Sequence, residues 1–401
     1  MTERRIPVRD WETDFDHTDP RWAEDPYPIF DQLRRKCPVA HTNRFLGVYL
    51  PTSYKAVAEI AKNTESFSSR RIVVRDTRPE FFFSAPPITS DPPEHQAAKH
   101  MLLPPFTPDA AKALEPQIRK VCNALIDQFI ADGKCDAAIQ YARQVSVLTM
   151  IHMLGVSEND SDLFVKWIHD TLELGVKNDA ILMKAFQEMA VHFGGYIARR
   201  KQQPGTDLIS LLLAARDHNG EPLTDFAIHG ALRLLMMAGI DTSWSAIGAS
   251  LWHLAKTPSD RARLIAEPEL MPFAIEEFLR AYSPVTAGRE VMKETTVEGC
   301  PMRPGNMVLL CFPAANRDPA VFPDADKVII DRRQNRHVAF GLGIHRCVGA
   351  HLGRLQMRVA IEEWLKRIPD FGLDPDGEMK WAGGQVRGPR QLPLLFGAAR
   401  A

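Results

Sequence analysis

The 401-residue chain lacks any uninterrupted apolar run approaching the length of about eighteen residues that a membrane span needs. It also lacks an excess of either charge. Its 49 Lys and Arg against 50 Asp and Glu leave a net charge of −1, which excludes a general attraction to nucleic acid or anionic lipid. Cysteine is scarce: Cys37, Cys122, Cys135, Cys300, Cys311 and Cys347 show no paired spacing, so neither a disulfide framework nor a zinc ribbon is expected. A reducing cytoplasm is the simplest home for such thiols. No internal repeat, low-complexity tract or Gly/Ser linker is present, and one domain over residues 1–401 is expected. The opening stretch MTERRIPVRDWETDFDHTDP is charged without an apolar centre and reads as neither signal peptide nor anchor.

What is present is mostly helical patterning. Thirty prolines cut the chain into segments. Periodicity predicts helices over 25–37, 52–62, 109–131, 142–154, 161–176, 179–201, 207–216 and 272–282. The longest covers 224–256, with Thr224 as N-cap and Pro258 just beyond its end. Strand-like runs appear at 43–50, 291–297, 307–310 and 391–396, with Gly299 and Pro304-Gly305 at turns. The fold class is therefore mainly α with a smaller β-rich portion. Residues 66–93 form a long irregular stretch holding Phe81, Phe82 and Phe83 among prolines, and loops of that length are usually functional.

The stretch FGLGIHRCVGAHLGR, from Phe340 to Arg354, sets one cysteine between glycines where a helix begins. Unpaired N–H groups and the positive end of the helix dipole stabilise a thiolate there. Gly343 and Gly349 remove side chains that would block a flat partner. A thiolate so placed is a good axial ligand for haem iron. A zinc site is a poorer reading, because no second ligand pair stands at zinc spacing.

The pattern Phe340-x-x-Gly343-x-His345-x-Cys347-x-Gly349 resembles the haem-binding loop of the cytochrome P450 family. The resemblance implies haem b ligated by Cys347, Phe340 packed near the sulfur and His345 reaching a haem propionate. Glu277-Phe278-Leu279-Arg280 matches the family's E-x-x-R signature, whose i,i+3 charges share one helix face as a structural ion pair. Relatives complete that pair with an arginine; here the matching residue is Lys327, and Arg332, Arg333 or Arg336 are the substitutes to consider. Ala238-Gly239-Ile240-Asp241-Thr242-Ser243 resembles the oxygen-binding segment. Gly239 would leave room for dioxygen, Thr242 would hold the distal hydrogen-bonding network and Asp241 would relay protons. Asp91-Pro92-Pro93-Glu94-His95 resembles the entry to the helix crossing the haem edge, with His95, Lys99 and, further on, Arg289 at propionate-binding positions.

The likeness runs from Asp25-Pro26-Tyr27-Pro28 to Leu392-Pro393-Leu394, and Trp244 to Arg390 is also similar to haem domains that other members fuse to a reductase. It implies a monooxygenase hydroxylating, or O- or N-dealkylating, a small and mostly apolar substrate. Phe82, Leu234, Met237, Ala238, Val285, Ala287 and Val386 are the candidate pocket residues, and Arg70, Arg71, Arg75 and Arg78 are candidates to meet a carboxylate. Electrons would come from a ferredoxin and its reductase, docked at a basic proximal face holding Arg346, Arg354, Arg358, Lys112 and Arg119. A monomer is expected, with no nucleic-acid or membrane partner. Two rivals stay open: a peroxide-dependent or isomerising haem-thiolate enzyme, and a haem protein that binds a ligand without catalysis.

Overall fold

Thr224 opens the longest helix as expected. Its hydroxyl accepts the Ala227 N–H at 3.2 Å, and the helix then runs unbroken from Asp225 to Lys256. The chain is seen in a computed structural model that describes residues 6–76, 84–176, 178–217 and 219–397. Phe81, Phe82, Phe83 and Arg78 lie outside the described residues. The central helix is apolar nearly all round, and it is accordingly packed on several sides. Helices Arg143–Leu154 and Ala350–Arg367, the strand Gly388–Gln391 and the wide π-type turn Ala137–Ala142 all lie against it.

Around this axis a large core gathers Phe129, Tyr141, Trp364 and Phe396, whose rings stand 5.0 to 6.5 Å apart. Aromatic pairs at such separations add to simple area burial. Smaller clusters fill the space between a sheet and the helix Tyr54–Lys62. That sheet has five strands in the order Val39–Thr42, Val48–Pro51, Met307–Cys311, Thr286–Val291 and Phe67–Ser68. Within it, Val48–Pro51 and Met307–Cys311 run parallel and the remaining neighbours antiparallel. A three-stranded sheet places Pro393–Phe396 between Lys134–Asp136 and Phe371–Leu373.

Several sequence boundaries moved, each for a local reason. The helix expected over 109–131 is two helices, Pro108–Ala113 and Glu115–Asp127, because Pro116 has no N–H to continue the ladder and fits only at a helix start. The run 291–297 is divided between Thr286–Val291 and Thr295–Val297, which belong to different sheets. The strand Val39–Thr42 and the short strand Phe67–Ser68 were not legible in the alternation pattern, since nearly all their residues are buried.

Two features place the site. Gly388 lets its strand lie on the central helix: a Cβ there would stand 2.6 Å from Ser245 Cα. Gly343, at φ +66°, lets the cysteine loop approach the helix Tyr54–Lys62, where a Cβ would meet Ala61 O at 2.9 Å. The expected purpose of Gly343, clearing space for a flat partner, is thus replaced by a backbone-to-backbone approach.

Candidate active site

A cavity of about 270 Å³ separates the cysteine loop from the central helix. The helix presents Leu234, Leu235, Ala238, Gly239, Thr242 and Ser243 to it, the i, i+3/i+4 face expected of one side of an α-helix. Met237 falls on another face, 9% exposed and packed in the core, so its placement among the pocket residues is corrected. Val285 and Ala287 line the cavity as expected. Val386 does not; it bridges Val285 while its neighbour Gln385 takes the wall position, a one-residue slip in a bridged segment.

Cys347 is exposed, and the space it faces is this cavity. Its N–H donates to Phe340 O at 2.8 Å, which closes the loop. Burial raises the thiol's pKa, against the expectation from the helix terminus alone; the Gly349 backbone N–H, Lys99, Arg354 and Arg346 pull the other way. Phe340 lies under the loop, with the Arg354 guanidinium 4.5 Å from its ring centroid. Arg354 in turn makes two bonds to Glu276, at 2.6 and 2.9 Å, and His337 makes a third at 2.9 Å. Burial acts to raise the Glu276 pKa, but these partners outweigh it and hold the carboxyl at about 2. A depressed carboxylate stabilises the fold above its unfolded pKa, near 4.5, and that support is lost as pH falls toward 2. Denaturant titrations at a series of pH values should therefore show the stability gap between native protein and Glu276→Gln closing over that window.

On the other side of the cavity stand Arg289, His95 and Lys99. Arg289 is 5% exposed, and its hydrogen bond goes to the carbonyl of its own neighbour, Gly288, at 2.7 Å. Burial brings its pKa down to about 10, with Asp91 opposing. His95 Nε2 is buried without a partner among the described residues. A buried guanidinium and an orphaned imidazole on one edge of an otherwise apolar space fit a flat apolar group with an anionic edge. Lys99 is spent differently from the expectation. Its ammonium donates to the carbonyls of Ile344 and Arg346, and one of its three protons is left. His345 packs edge-on to His95, with ring centroids 4.4 Å apart, and shares its Nε2 with Ser69 Oγ at 2.8 Å. Burial, then Arg289, His95 and Lys99, take the His345 pKa down to about 3 and keep it neutral. Ser69 carried no sequence signal, because its partner is distant in the chain.

Thr242 Oγ1 donates back to Ala238 O at 2.7 Å, the local bond expected of a helix-interior threonine. Gly239 lines the cavity, and its missing side chain also makes room for a neighbour. A Cβ there would overlap the Met150 methyl, so the missing side chain admits a methionine that also lines the cavity. Asp241 does not reach the cavity. It is 1% exposed, turned the other way, and sits 2.8 Å from Arg390 Nη2. Ser243 Oγ donates to Gln356 Oε1 at 2.7 Å, a cavity-lining pair missed from sequence.

Beneath the site Glu277 and Arg280, both fully buried, are joined by two bonds of 2.8 Å. Arg332 supplies the third member, at 3.0 and 3.2 Å from the two Glu277 oxygens, with Asn335 and the Ile329 N–H completing the carboxylate's partners. The Lys327 side chain points outward to Asp324; it contributes its carbonyl, which accepts from Arg280. The described arginines of the 66–93 stretch are also engaged within the protein: Arg70 with Asp91, Arg71 with Glu290, and Arg75 with Asp179 and two carbonyls. The basic proximal face is smaller than expected, since Arg354, Arg358 and Arg119 all pair with glutamates.

A cysteine facing an apolar cavity, across from a helix carrying a threonine and framed by buried cationic groups, is the site of a haem-thiolate oxygenase on a mainly α fold. A sequence model of the cytochrome P450 family matches residues 164–379. The chain is 34% identical to mycinamicin IV hydroxylase/epoxidase of Micromonospora griseorubida, covering 92% of this chain and 94% of that one. It is 31% identical to vitamin D(3) 25-hydroxylase of Pseudonocardia autotrophica, covering 94% and 95% respectively. The structure of cytochrome P450 CYP109Q5 from Chondromyces apiculatus superposes with a TM-score of 0.88 at 30% identity, covering 98% of this chain and all of that one. The chain belongs to the cytochrome P450 family: it is a haem monooxygenase, with haem b as cofactor and a small organic molecule as substrate. No helix among the described residues is long and apolar enough to cross a membrane.

Proposed function

We propose that this chain, acting as a single domain and a monomer, inserts one oxygen atom from O2 into a mostly apolar substrate, using two electrons from a ferredoxin-type carrier. The observation that carries the reading is Cys347 facing Thr242 across one apolar cavity whose other edge holds buried cations. Bound there, haem supplies dioxygen activation and oxygen insertion; the protein supplies ligation, orientation and proton control.

Cys347 would hold the haem iron through its thiolate, and the Gly349 N–H and nearby cations act against the burial that resists ionisation. Arg289 and His95 bind the propionate edge, and the remaining Lys99 proton completes the anion site. Leu234, Ala238, Val285 and Ala287 hold the substrate and exclude water, which strengthens each polar contact inside. Thr242 would turn its hydroxyl from the Ala238 carbonyl to pass a proton toward the cavity, and Asp241, to supply one, would have to turn away from Arg390. Hydroxylation and dealkylation both begin at a substrate C–H bond, so the same pocket would serve either. The names of the relatives, a mycinamicin IV hydroxylase/epoxidase, a steroid C26-monooxygenase and a vitamin D(3) 25-hydroxylase, support a mostly apolar substrate. Arg346 and Lys112, which carry no carboxylate partner among the described residues, are the cations left for an acidic electron carrier.

The test is turnover with a ferredoxin, its reductase and NADPH against turnover with hydrogen peroxide alone, using a steroid panel as probe. Product formed by the ferredoxin route and not by peroxide supports the reading. Product from peroxide alone would assign the chain to the peroxide-dependent class.

A further inference from the structure

Arg233 is a buried guanidinium on the central helix, 9% exposed, and its Nε has no hydrogen-bond partner among the described residues. Burial alone acts on its charge and lowers its proton affinity; no carboxylate among the described residues stands close enough to offset it. One turn earlier on the same helix face, the buried Nδ1 of His229 is likewise without a partner among the described residues. Burial, and after it Arg233, lower the His229 pKa. Asp225, the carboxylate that opposes them, is already paired with Lys201 at 2.9 Å. Buried polar groups are nearly always satisfied, and an uncompensated buried charge is costly to keep. Arg233 and His229 thus repeat, elsewhere on the central helix, the pairing of Arg289 with His95.

Their place is the end of the cavity. Leu234, next to Arg233, is the cavity-lining residue of the central helix farthest from Thr242. A Cβ on Gly230 would stand 3.2 Å from Ser84 O and 3.9 Å from Arg233 Nη2, so the guanidinium folds back along the helix to where the chain passes at Ser84. Pro87 and Ile88, just beyond Ser84, line the cavity too. The Phe186 ring, on the helix Asp179–Gln202, has its centroid 5.0 Å from the guanidinium carbon and helps to fix its plane.

We propose that Arg233, with His229 beside it, binds the carboxylate of an elongated organic monocarboxylic acid whose apolar body fills the cavity toward Thr242. The inference rests on the proposed oxygenase reading and names the class of its substrate. A carboxylate there takes two parallel N–H bonds from the guanidinium and a third from the imidazole, and it supplies the charge that burial leaves uncompensated. Nine residues at about 1.5 Å each set Arg233 about 13 Å from Thr242 along the helix, so the body is roughly 10 Å long and is oxidised at the end remote from the carboxylate. Arg70, Arg71 and Arg75, the arginines first expected to meet a carboxylate, are engaged within the protein.

The experiment is calorimetric titration of the haem-loaded ferric protein with n-alkanoates and 4-alkylbenzoates, each compared with its methyl ester. The ferric spin-state shift is read on the same samples. At least one acid should bind about thirtyfold more tightly than its ester, and Arg233→Met should abolish that preference while ester binding stays within about threefold. Arg233→Lys should recover part of it, and His229→Gln should weaken the acid by about fivefold. Arg233→Met should also melt no lower than the native protein, because it removes an uncompensated buried charge. A panel in which no acid binds more tightly than its ester overturns the proposal, and so does an acid preference that survives Arg233→Met. A lower melting temperature with equal losses for acid and ester marks a structural guanidinium and overturns it as well. Where Arg233→Met fails to fold, Arg233→Lys and His229→Gln carry the same comparison. Acids that bind through Arg233 yet give no product with ferredoxin and its reductase overturn the proposed function and leave the carboxylate site standing.

Discussion

Cys347→Ala protein, reduced and exposed to carbon monoxide, should show none of the red-shifted Soret band that marks a thiolate-ligated haem, whereas Cys311→Ala should retain it in full. The contrast follows from where the two sulfurs lie. Burial raises the pKa of Cys347 as it does that of Cys311, but Cys347 faces the cavity, and the Gly349 N–H and Lys99 act against that burial. Cys311 ends a central strand, fully buried, with burial pushing its pKa up to about 12, so its thiol is inert core. The remaining thiols are no rivals: Cys122 and Cys135 are buried, and burial drives both pKa values up. A red-shifted band surviving in Cys347→Ala would falsify the ligand assignment.

Arg332→Ala should cost about 3–5 kcal/mol in stability, whereas Lys327→Ala should stay within about 0.5 kcal/mol of the native protein. Arg332 meets both oxygens of a carboxylate that is fully buried, and it also donates to the Pro323 and Asp324 carbonyls. Removing it takes away Arg332's donated bonds to both Glu277 oxygens, leaving Arg280 as the one guanidinium on a fully buried carboxylate, and two further acceptors, the Pro323 and Asp324 carbonyls, unpaired. Lys327 pairs at the surface, where such a contact contributes little. Denaturant unfolding of the two variants decides the matter, and equal losses would overturn the assignment of Arg332 as third member of the cluster. Arg280 adds three backbone carbonyls to the same network, from Asn316, Ala325 and Lys327, so the cluster fastens the segment before the cysteine loop to its helix.

The residues legible in the sequence were those whose role depends on near neighbours. Phe340 to Gly349 sit within one loop, Thr242 bonds four residues back, and Glu277 pairs three residues on; such spacings are fixed by local geometry. The partners that were not legible are the distant ones. Arg390 meets Asp241 from another element, Ser69 meets His345 across the fold, and Arg332 reaches Glu277 from a turn that no period marks. Choosing among Arg332, Arg333 and Arg336 required the path of that turn. Gly239 shows a different limit: its contact with Met150 was not legible, because Met150 comes from another helix. Met237 and Val386 failed by one helical step and one strand step, which is the resolution of a pattern without a register.

Lys99 has a consequence for the cavity as a whole. It rises from the helix Glu94–Leu102 and grips two carbonyls of the loop that bears Cys347. One ammonium thus ties the rim of the chamber to its floor, and four methylenes set the span between them. An arginine there is longer and planar, and would seat the same loop at another height. The clearance above the sulfur is in this sense a dimension written into one side chain, as a spacer fixes the gap in a hinge.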